Sequence, residues 1–195
     1  MELWTTPKHK LQDFHYPITF DDKVAQFEAR ILGYQIDIAI QVADKIPHSG
    51  FGVLSILLSY FESIAKFEAG YENTDNSKMF FEIGVQSVYP YMSDPLPIDV
   101  TETALERLYK SVRCGMYHRG IIGKKVMLTG ESDSLEIWIT RDGTDVRVVI
   151  NPHQLADIIK QHFIAYITKL RDPENTTLRA NFERRYDYET SIDLG

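Results

Sequence analysis

One apolar stretch, Val53 to Phe67, constrains the fold of this chain more than any other segment. If these residues form a helix, apolar side chains cover most of its sides. The polar side chains form only a narrow stripe at helical spacing: Ser55, Ser59, Glu62, Ser63 and Lys66. A helix that is apolar on most sides has to be buried by other elements. The sequence therefore predicts a helical bundle with this segment at its centre.

Three more bundle helices are predicted around this central one. Apolar residues recur at steps of three, four and seven positions in segments 24–46, 104–116 and 155–170. The turn after the first of these segments, Pro47 to Gly50, is short. The first and central helices are therefore expected to pack antiparallel. The long connection after the central helix, 70–100, is expected to hold one short helix at 77–88.

The hydrophobic period changes between the third and fourth bundle helices. Strand-like runs of residues occupy 125–129, 135–140 and 145–150, with turn residues between them. The predicted fold class is therefore mainly α. It is a four-helix bundle with a small antiparallel β insertion of two or three strands, at about 124–150.

The predicted organisation along the chain has three parts. Residues 1–20 are expected to form an irregular N-terminal arm, from which Trp4, Phe14 and Tyr16 dock on the body. Residues 21–171 form the helical domain with its β insertion. Residues 172–195 are charged and loosely patterned, and we expect them to form a C-terminal tail.

Composition restricts the class of protein. The chain has 195 residues, with 28 Asp/Glu and 21 Lys/Arg and a net charge of −7, which argues against wholesale coating of nucleic acid. We find no signal-peptide pattern and no apolar run near the roughly 20 residues of a membrane span, so no membrane partner is expected. The single cysteine, Cys114, favours a reduced, cytoplasmic protein. The scattered histidines lack the spacing of metal ligands, and neither a metal nor a cofactor is expected.

A cationic window interrupts this acidic chain. The segment from Arg107 to Gly130 holds no Asp or Glu. It holds six basic residues: Arg107, Lys110, Arg113, Arg119, Lys124 and Lys125. Such a window in an acidic protein is a physical indication of an anionic ligand.

Arg113 and His118 are the main site candidates within this window. An arginine presents a planar fork that suits phosphate oxygens, and a histidine can accept or donate a proton near neutral pH. The ordinary alternative is that cations favour the C-terminal end of a helix. Five residues turn a helix by about 500°. The two side chains can therefore converge only if the helix loosens near Gly115 or if partner chains share the site.

Several neighbours are candidate supporting residues. Cys114 and His118 are four positions apart, so a thiolate–imidazole pair is one open alternative, and Arg119 and Lys110 add positive charge. The tyrosines at 109 and 117 could stack on bases or bond phosphate, or could simply pack at the edge of the core.

Glu62, on the polar stripe of the central helix, has two interpretations. It could orient Arg113 or His118 across the bundle. The simpler interpretation is a surface pair with Lys66 at i, i+4.

The segment Tyr109-x-x-x-Arg113-Cys-Gly-x-Tyr-His118-x-Gly120, at the end of the third predicted bundle helix, resembles the HEPN superfamily. An arginine followed at a short interval by a histidine, at this place in the bundle, is that family's hallmark. The resemblance covers the helical body, roughly 21–171, and includes a β insertion before the last helix. Cys114 departs from the pattern, because catalytic members commonly have a small polar residue after the arginine.

This resemblance implies a metal-independent endoribonuclease that cleaves single-stranded RNA, as a toxin or antiviral defence element with a cognate antitoxin protein. His118 would transfer protons and Arg113 would stabilise the phosphorane. The family usually forms homodimers in which two motifs face each other. The alternative is a non-catalytic HEPN module that binds a nucleotide, RNA or a protein partner. A purely structural helical protein is a third interpretation.

Overall fold

The computed structural model describes residues 5–10, 13, 17–90, 97–130 and 137–192. The fold is mainly helical with one small sheet. The helices are α1 (Phe20–Ile31), α2 (Asp37–Lys45), α3 (Gly50–Ala69), α4 (Ser77–Val88), α5 (Ile98–Arg107), α6 (Cys114–Arg119), α7 (Pro152–Arg171) and α8 (Thr176–Ile192). The strands are β1 (Val126–Leu128), β2 (Ile137–Asp142) and β3 (Asp145–Ile150).

The predicted central helix is α3, and it contacts α2, α4, α7 and α8. Ten of its residues are buried, including Leu57, Phe61 and Ile64. Among the described residues it is also the one helix long and apolar enough to cross a membrane, judged by length and composition alone. The expectation that no segment comes near a membrane span was therefore wrong on those criteria. Over half of that apolar window is buried inside the protein, as is usual for the central helix of a bundle.

The backbones of α3 and α4 come unusually close at Gly84. A methyl group placed on this glycine would lie 1.8 Å from the carbonyl oxygen of Phe61. The neighbouring ring of Phe81 packs edge to face on Phe61, with centroids 5.6 Å apart. The absence of a side chain at Gly84 is therefore what lets the short helix, predicted at 77–88, lie directly on the central one.

Two pairs of consecutive helices are each joined by a π-helical segment. Leu32–Ile36 joins α1 to α2, and Leu108–Arg113 joins α5 to α6. The predicted helices at 24–46 and 104–116 are therefore confirmed in place, but each contains a wider turn that the apolar spacing did not indicate. Short π segments inside α-helices often occur at functional sites, and the second one here ends at Arg113.

The β insertion has a different topology from the one predicted. β3 lies between the other two strands, paired antiparallel with β2 and parallel with β1. A wholly antiparallel sheet was therefore wrong, and the sheet is mixed. Val126 is opposite Val148 in the parallel pair, and β3 packs against α5. The connection from β1 to β2 includes residues 131–136, which lie outside the described ranges.

Residues that the sequence analysis assigned to a charged tail form a helix, α8. Its Phe182 is fully buried and lies among the rings of Phe20, Phe27 and Phe67. The pattern was missed because charged side chains flank only a few large apolar ones in this segment. The C-terminal helix thus belongs to the core of the bundle.

Part of the N-terminal arm also contacts the body. The Nε of Arg30 donates to the carbonyl oxygen of Thr5 at 2.9 Å, and Thr6 is fully buried. Pro7 lies against Gly33 in the first π segment. The predicted docking of Trp4, Phe14 and Tyr16 falls on residues outside the described part of the chain.

Candidate functional site

The Glu62 carboxylate forms the centre of a charged cluster between three helices. Arg113, at the end of the second π segment, donates to its Oε2 at 3.0 Å. Lys66 and Ser77 donate to its Oε1 at 2.8 and 2.7 Å. Lys66 also donates to the carbonyl oxygen of Thr74 at 3.2 Å. Each charge in this cluster therefore has an opposite charge or a polar partner.

The structure combines parts of both interpretations of Glu62. It pairs with Lys66 at i, i+4, but Lys66 is only 4% exposed, so the pair is not a surface one. It also holds Arg113 across the bundle. Ser77 and the Thr74 carbonyl were missed as parts of the site, because these contacts depend on tertiary packing.

Electrostatics keep this cluster ionised. Burial opposes ionisation of Glu62, but the hydrogen bonds from Lys66 and Ser77 and the charges of Lys66 and Arg113 outweigh it, so the pKa of Glu62 is lowered. Burial likewise opposes the charge of Arg113, while the Glu62 carboxylate raises its pKa. The guanidinium therefore stays positively charged, and one of its terminal nitrogens donates to Glu62.

Two tyrosine rings flank Arg113. Its guanidinium carbon lies 5.6 Å from the centroid of Tyr109 and 5.7 Å from that of Tyr117, within cation–π range. The Tyr117 hydroxyl donates to the Ser55 carbonyl oxygen at 3.1 Å, which ties α6 to α3. Tyr109 is half-buried, and its pKa is raised by burial and by the neighbouring Cys114.

His118 lies in the exposed last turn of α6. His118 and Arg119 are both exposed. Neither has a side-chain hydrogen bond or ion pair within the described part of the chain. The helix stops at Gly120, whose φ is +67°, and the N–H of Ile121 returns to the Gly115 carbonyl oxygen at 3.3 Å. His118 is therefore presented to solvent at a fixed helix end.

The structure shows no local distortion that would join the two main candidates. The wide π turns precede Arg113, and the segment from Cys114 to Arg119 is regular α-helix. The loosening that would bring Arg113 and His118 together near Gly115 is therefore not found there. Cys114 also makes no hydrogen bond to His118 within the described ranges, so the thiolate–imidazole pair has no structural support.

The cationic window is largely neutralised in three dimensions. Arg107 and Lys125 both pair with Asp145 in β3. Lys110 pairs with Glu106, one residue before the window, and Arg113 with Glu62. Only Arg119 and Lys124 of the six make no ion pair with a described residue. Acidic side chains outside the window thus neutralise most of its positive charge. Lys110 is not part of the Arg113 cluster.

Within the described ranges, no group of three or more His, Cys, Asp and Glu side chains is placed to hold a metal ion. His9, His48 and His153 lie apart from the Arg113 cluster.

No match to a known protein was found. The sequence matches no protein-family model and no curated protein, and the structure matches no solved structure. The geometry of the Arg113 cluster and of the helix end at His118 is therefore the basis for a functional proposal.

Proposed function

We propose that the chain is a metal-independent endoribonuclease of HEPN type, with Arg113 and His118 as its catalytic residues. One observation carries the proposal. An exposed histidine that makes no side-chain hydrogen bond with a described residue lies five positions after an arginine that Glu62 and two tyrosine rings hold in place. A proton carrier has to be free to meet its substrate, and a phosphate ligand benefits from being fixed in advance.

The proposed reaction is transesterification of single-stranded RNA. His118 accepts the proton of a 2′-hydroxyl, whose oxygen attacks the adjacent phosphorus. The guanidinium of Arg113 stabilises the negative charge of the phosphorane. The bond to the 5′-oxygen then breaks, that oxygen takes a proton, and a 2′,3′-cyclic phosphate remains.

This chemistry favours a homodimer. The reaction needs one base and one acid, and a single chain offers one histidine at this helix end. A two-fold axis near α6 would bring a second His118 and a second Arg113 to the same groove. Because the helix after Arg113 shows no loosening that would bring His118 to it within one chain, a shared site would supply both groups.

The finer fold assignment belongs to the same proposal. The four HEPN helices would be α1 with α2, then α3, then α5 with α6, and finally α7, with the sheet inserted before the last. The protein would act in the cytoplasm as a toxin or antiviral element, and a cognate antitoxin protein would be its regulator.

A non-catalytic HEPN module is the second candidate, and two observations favour it. Glu62 already occupies one edge of the Arg113 guanidinium. Cys114 stands where catalytic members commonly have a small polar residue. In this alternative Arg113 anchors a nucleotide, RNA or an acidic protein segment, and no bond is cleaved.

RNA cleavage in the presence of EDTA tests the proposal. We expect cleavage of single-stranded RNA by the wild type, and a loss of at least about 100-fold in His118→Ala and in Arg113→Ala, the scale of a lost general base. Products are analysed by gel electrophoresis and by mass spectrometry for the cyclic phosphate.

Arg147 and His153 provide matched controls, because they repeat the two residue types at nearly the same spacing elsewhere in the chain. Arg147→Ala and His153→Ala should cleave like the wild type. Cleavage that persists in His118→Ala would overturn the site. A folded wild type that binds RNA without cleaving it would favour the non-catalytic module.

A further inference from the structure

A polar cavity lies away from the Arg113 cluster, between α7 and the ends of α3, α4 and α8. Its volume is about 290 Å³. It is lined by Glu68, Ser87, His162, Ala165, Tyr166, Lys169 and Leu178. Ala165 and Lys169 are exposed, so the cavity opens to solvent beside them. None of the lining residues belongs to the proposed ribonuclease site.

A hydrogen-bonded chain fixes one wall of this cavity. The buried Tyr60 hydroxyl lies 2.7 Å from Nδ1 of His162. The other ring nitrogen, Nε2, lies 3.1 Å from the Ser87 hydroxyl. Ser87 also lies 3.4 Å from both carboxyl oxygens of Glu68. His162 is partly buried, and each of its ring nitrogens lies within hydrogen-bond distance of a hydroxyl.

Two donors that line the cavity have no described partner. The Tyr166 side chain is 97% buried, since only 3% is exposed, yet its hydroxyl makes no hydrogen bond within the described part of the chain. A buried hydroxyl without a partner is costly, and such groups usually have a functional reason. Lys169 likewise makes no ion pair with a described residue.

Burial shifts the acid and the imidazole toward their neutral forms. It raises the pKa of Glu68 and lowers that of His162, and the Lys169 charge acts on both groups. The Lys169 ammonium would repel a cation, and an ionised Glu68 would repel an anion. A neutral ligand with both donors and acceptors would be complementary to both.

We propose that this cavity binds the base of a purine nucleoside with the hydrogen-bonding pattern of guanine. Guanine has adjacent N–H groups that can donate to the Glu68 carboxyl. It also has acceptor atoms, O6 and N7, that suit Lys169 and the Tyr166 hydroxyl. Ala165 and Leu178 supply apolar surface for the ring face. This site goes beyond the proposed ribonuclease activity and does not depend on it.

The size of the cavity supports a ligand of this class. Small-molecule sites usually measure about 300–1,000 Å³, and this cavity, at about 290 Å³, lies just below that range. One ring system with its sugar near the opening fits such a volume better than a peptide or a dinucleotide. Base recognition in a pocket by hydrogen bonds to one edge is a general mode of nucleotide binding.

The test is calorimetric titration of the full chain with guanosine, with adenosine and glycine as comparison ligands. We expect guanosine to bind, and Tyr166→Phe and Glu68→Gln each to weaken binding at least about tenfold. Adenosine lacks the paired N–H groups and should bind at least about tenfold more weakly. Equal binding of adenosine, preferential binding of glycine, or no binding of guanosine would each overturn the proposal.

Tyr166→Phe also separates a ligand role from a structural one. Because the hydroxyl makes no hydrogen bond with a described residue, its removal should leave the melting temperature unchanged or raise it, while binding is lost. A variant that melts lower and still binds guanosine like the wild type would overturn the proposal.

A second titration shows whether the natural ligand is a base within RNA or a free nucleoside. It measures the affinity of a guanosine-containing trinucleotide for the His118→Ala variant, in which cleavage is prevented. Tighter binding of the trinucleotide than of guanosine assigns the cavity to an RNA base. Equal or weaker binding assigns it to a free nucleoside, and either result supports the cavity site. Ala substitution at the exposed Lys45 of α2, outside both the cavity and the cationic window, serves as the control and should leave both affinities unchanged.

Discussion

Gly84→Ala is expected to destabilise the fold strongly, because it forces apart two helices that touch through their backbones. The new methyl would lie 1.8 Å from the Phe61 carbonyl oxygen, and the obstructing atom is backbone, which cannot rotate away. α3 and α4 would have to separate and disrupt the packing of Phe61 and Phe81. We expect a loss of roughly 3 kcal/mol or more in the free energy of unfolding, measured by urea denaturation followed by circular dichroism.

Gly52→Ala is the matched control for this prediction. Gly52 also lies in a helix, α3, but a methyl group there meets no atom within 4 Å. Because alanine is the better helix former, this variant should be as stable as the wild type or more stable by about 0.5 kcal/mol. If Gly84→Ala unfolded at the same urea concentration as the wild type, the close approach of the two helices would be refuted.

Glu62→Ala is expected to have the second largest effect, and it acts on the candidate site as well as on stability. Removal of the carboxylate leaves the buried Lys66 and the half-buried Arg113 without their common counter-charge. Breaking a buried ion pair from one side costs about 3 kcal/mol. Arg113 would also lose its fixed position, so the proposed cleavage of RNA should fall together with stability.

Glu106→Ala is the control for the loss of a carboxylate. Glu106 pairs with Lys110 at i, i+4, but both side chains are largely exposed. An exposed pair contributes little, so we expect no marked change in stability. If Glu62→Ala and Glu106→Ala lowered the free energy of unfolding equally, the Glu62 cluster would not stabilise the fold as its geometry suggests.

The contribution of Glu62 should also depend on pH, with a defined sign. Its pKa is lower in the folded chain than its ordinary value of 4.5. The unfolded chain therefore takes up the proton first as the pH falls, and the stability that Glu62 supplies is lost below about pH 4.5. The difference in stability between wild type and Glu62→Ala should shrink in that range and stay constant between pH 6 and 8.

The bundle could be predicted because its periodicity is local information. The apolar residues of α3 and the repeated spacing in α1, α2 and α7 fix which faces are buried, whatever their partners are. The mixed order of the strands could not be predicted in this way. It depends on how β1 reaches β3, which turn residues and alternation do not specify.

In the candidate site, too, some features could be predicted from the sequence and others depend on tertiary packing. The end of a helix at Gly120 and the place of Arg113 near it follow from the sequence. Glu62 was one of the partners that the sequence left open for Arg113. The Ser77 hydroxyl that donates to Glu62 was not predicted, because it lies 15 positions further along the chain in another helix. The acid-free window was misleading for the same reason, because the fold of the sheet places Asp145 against Arg107 and Lys125.

The buried Arg185 of α8 gives the far end of the chain an influence on Arg113. It donates to the carbonyl oxygens of Tyr71 and Asn73 at 2.5 and 3.0 Å, and so holds the loop after α3. The next carbonyl in that loop, of Thr74, accepts from Lys66, which in turn holds Glu62 against Arg113. The arginine at the candidate site is thus the last member of a relay of contacts that begins in the final helix. Any partner that pulled α8 from the bundle would release it.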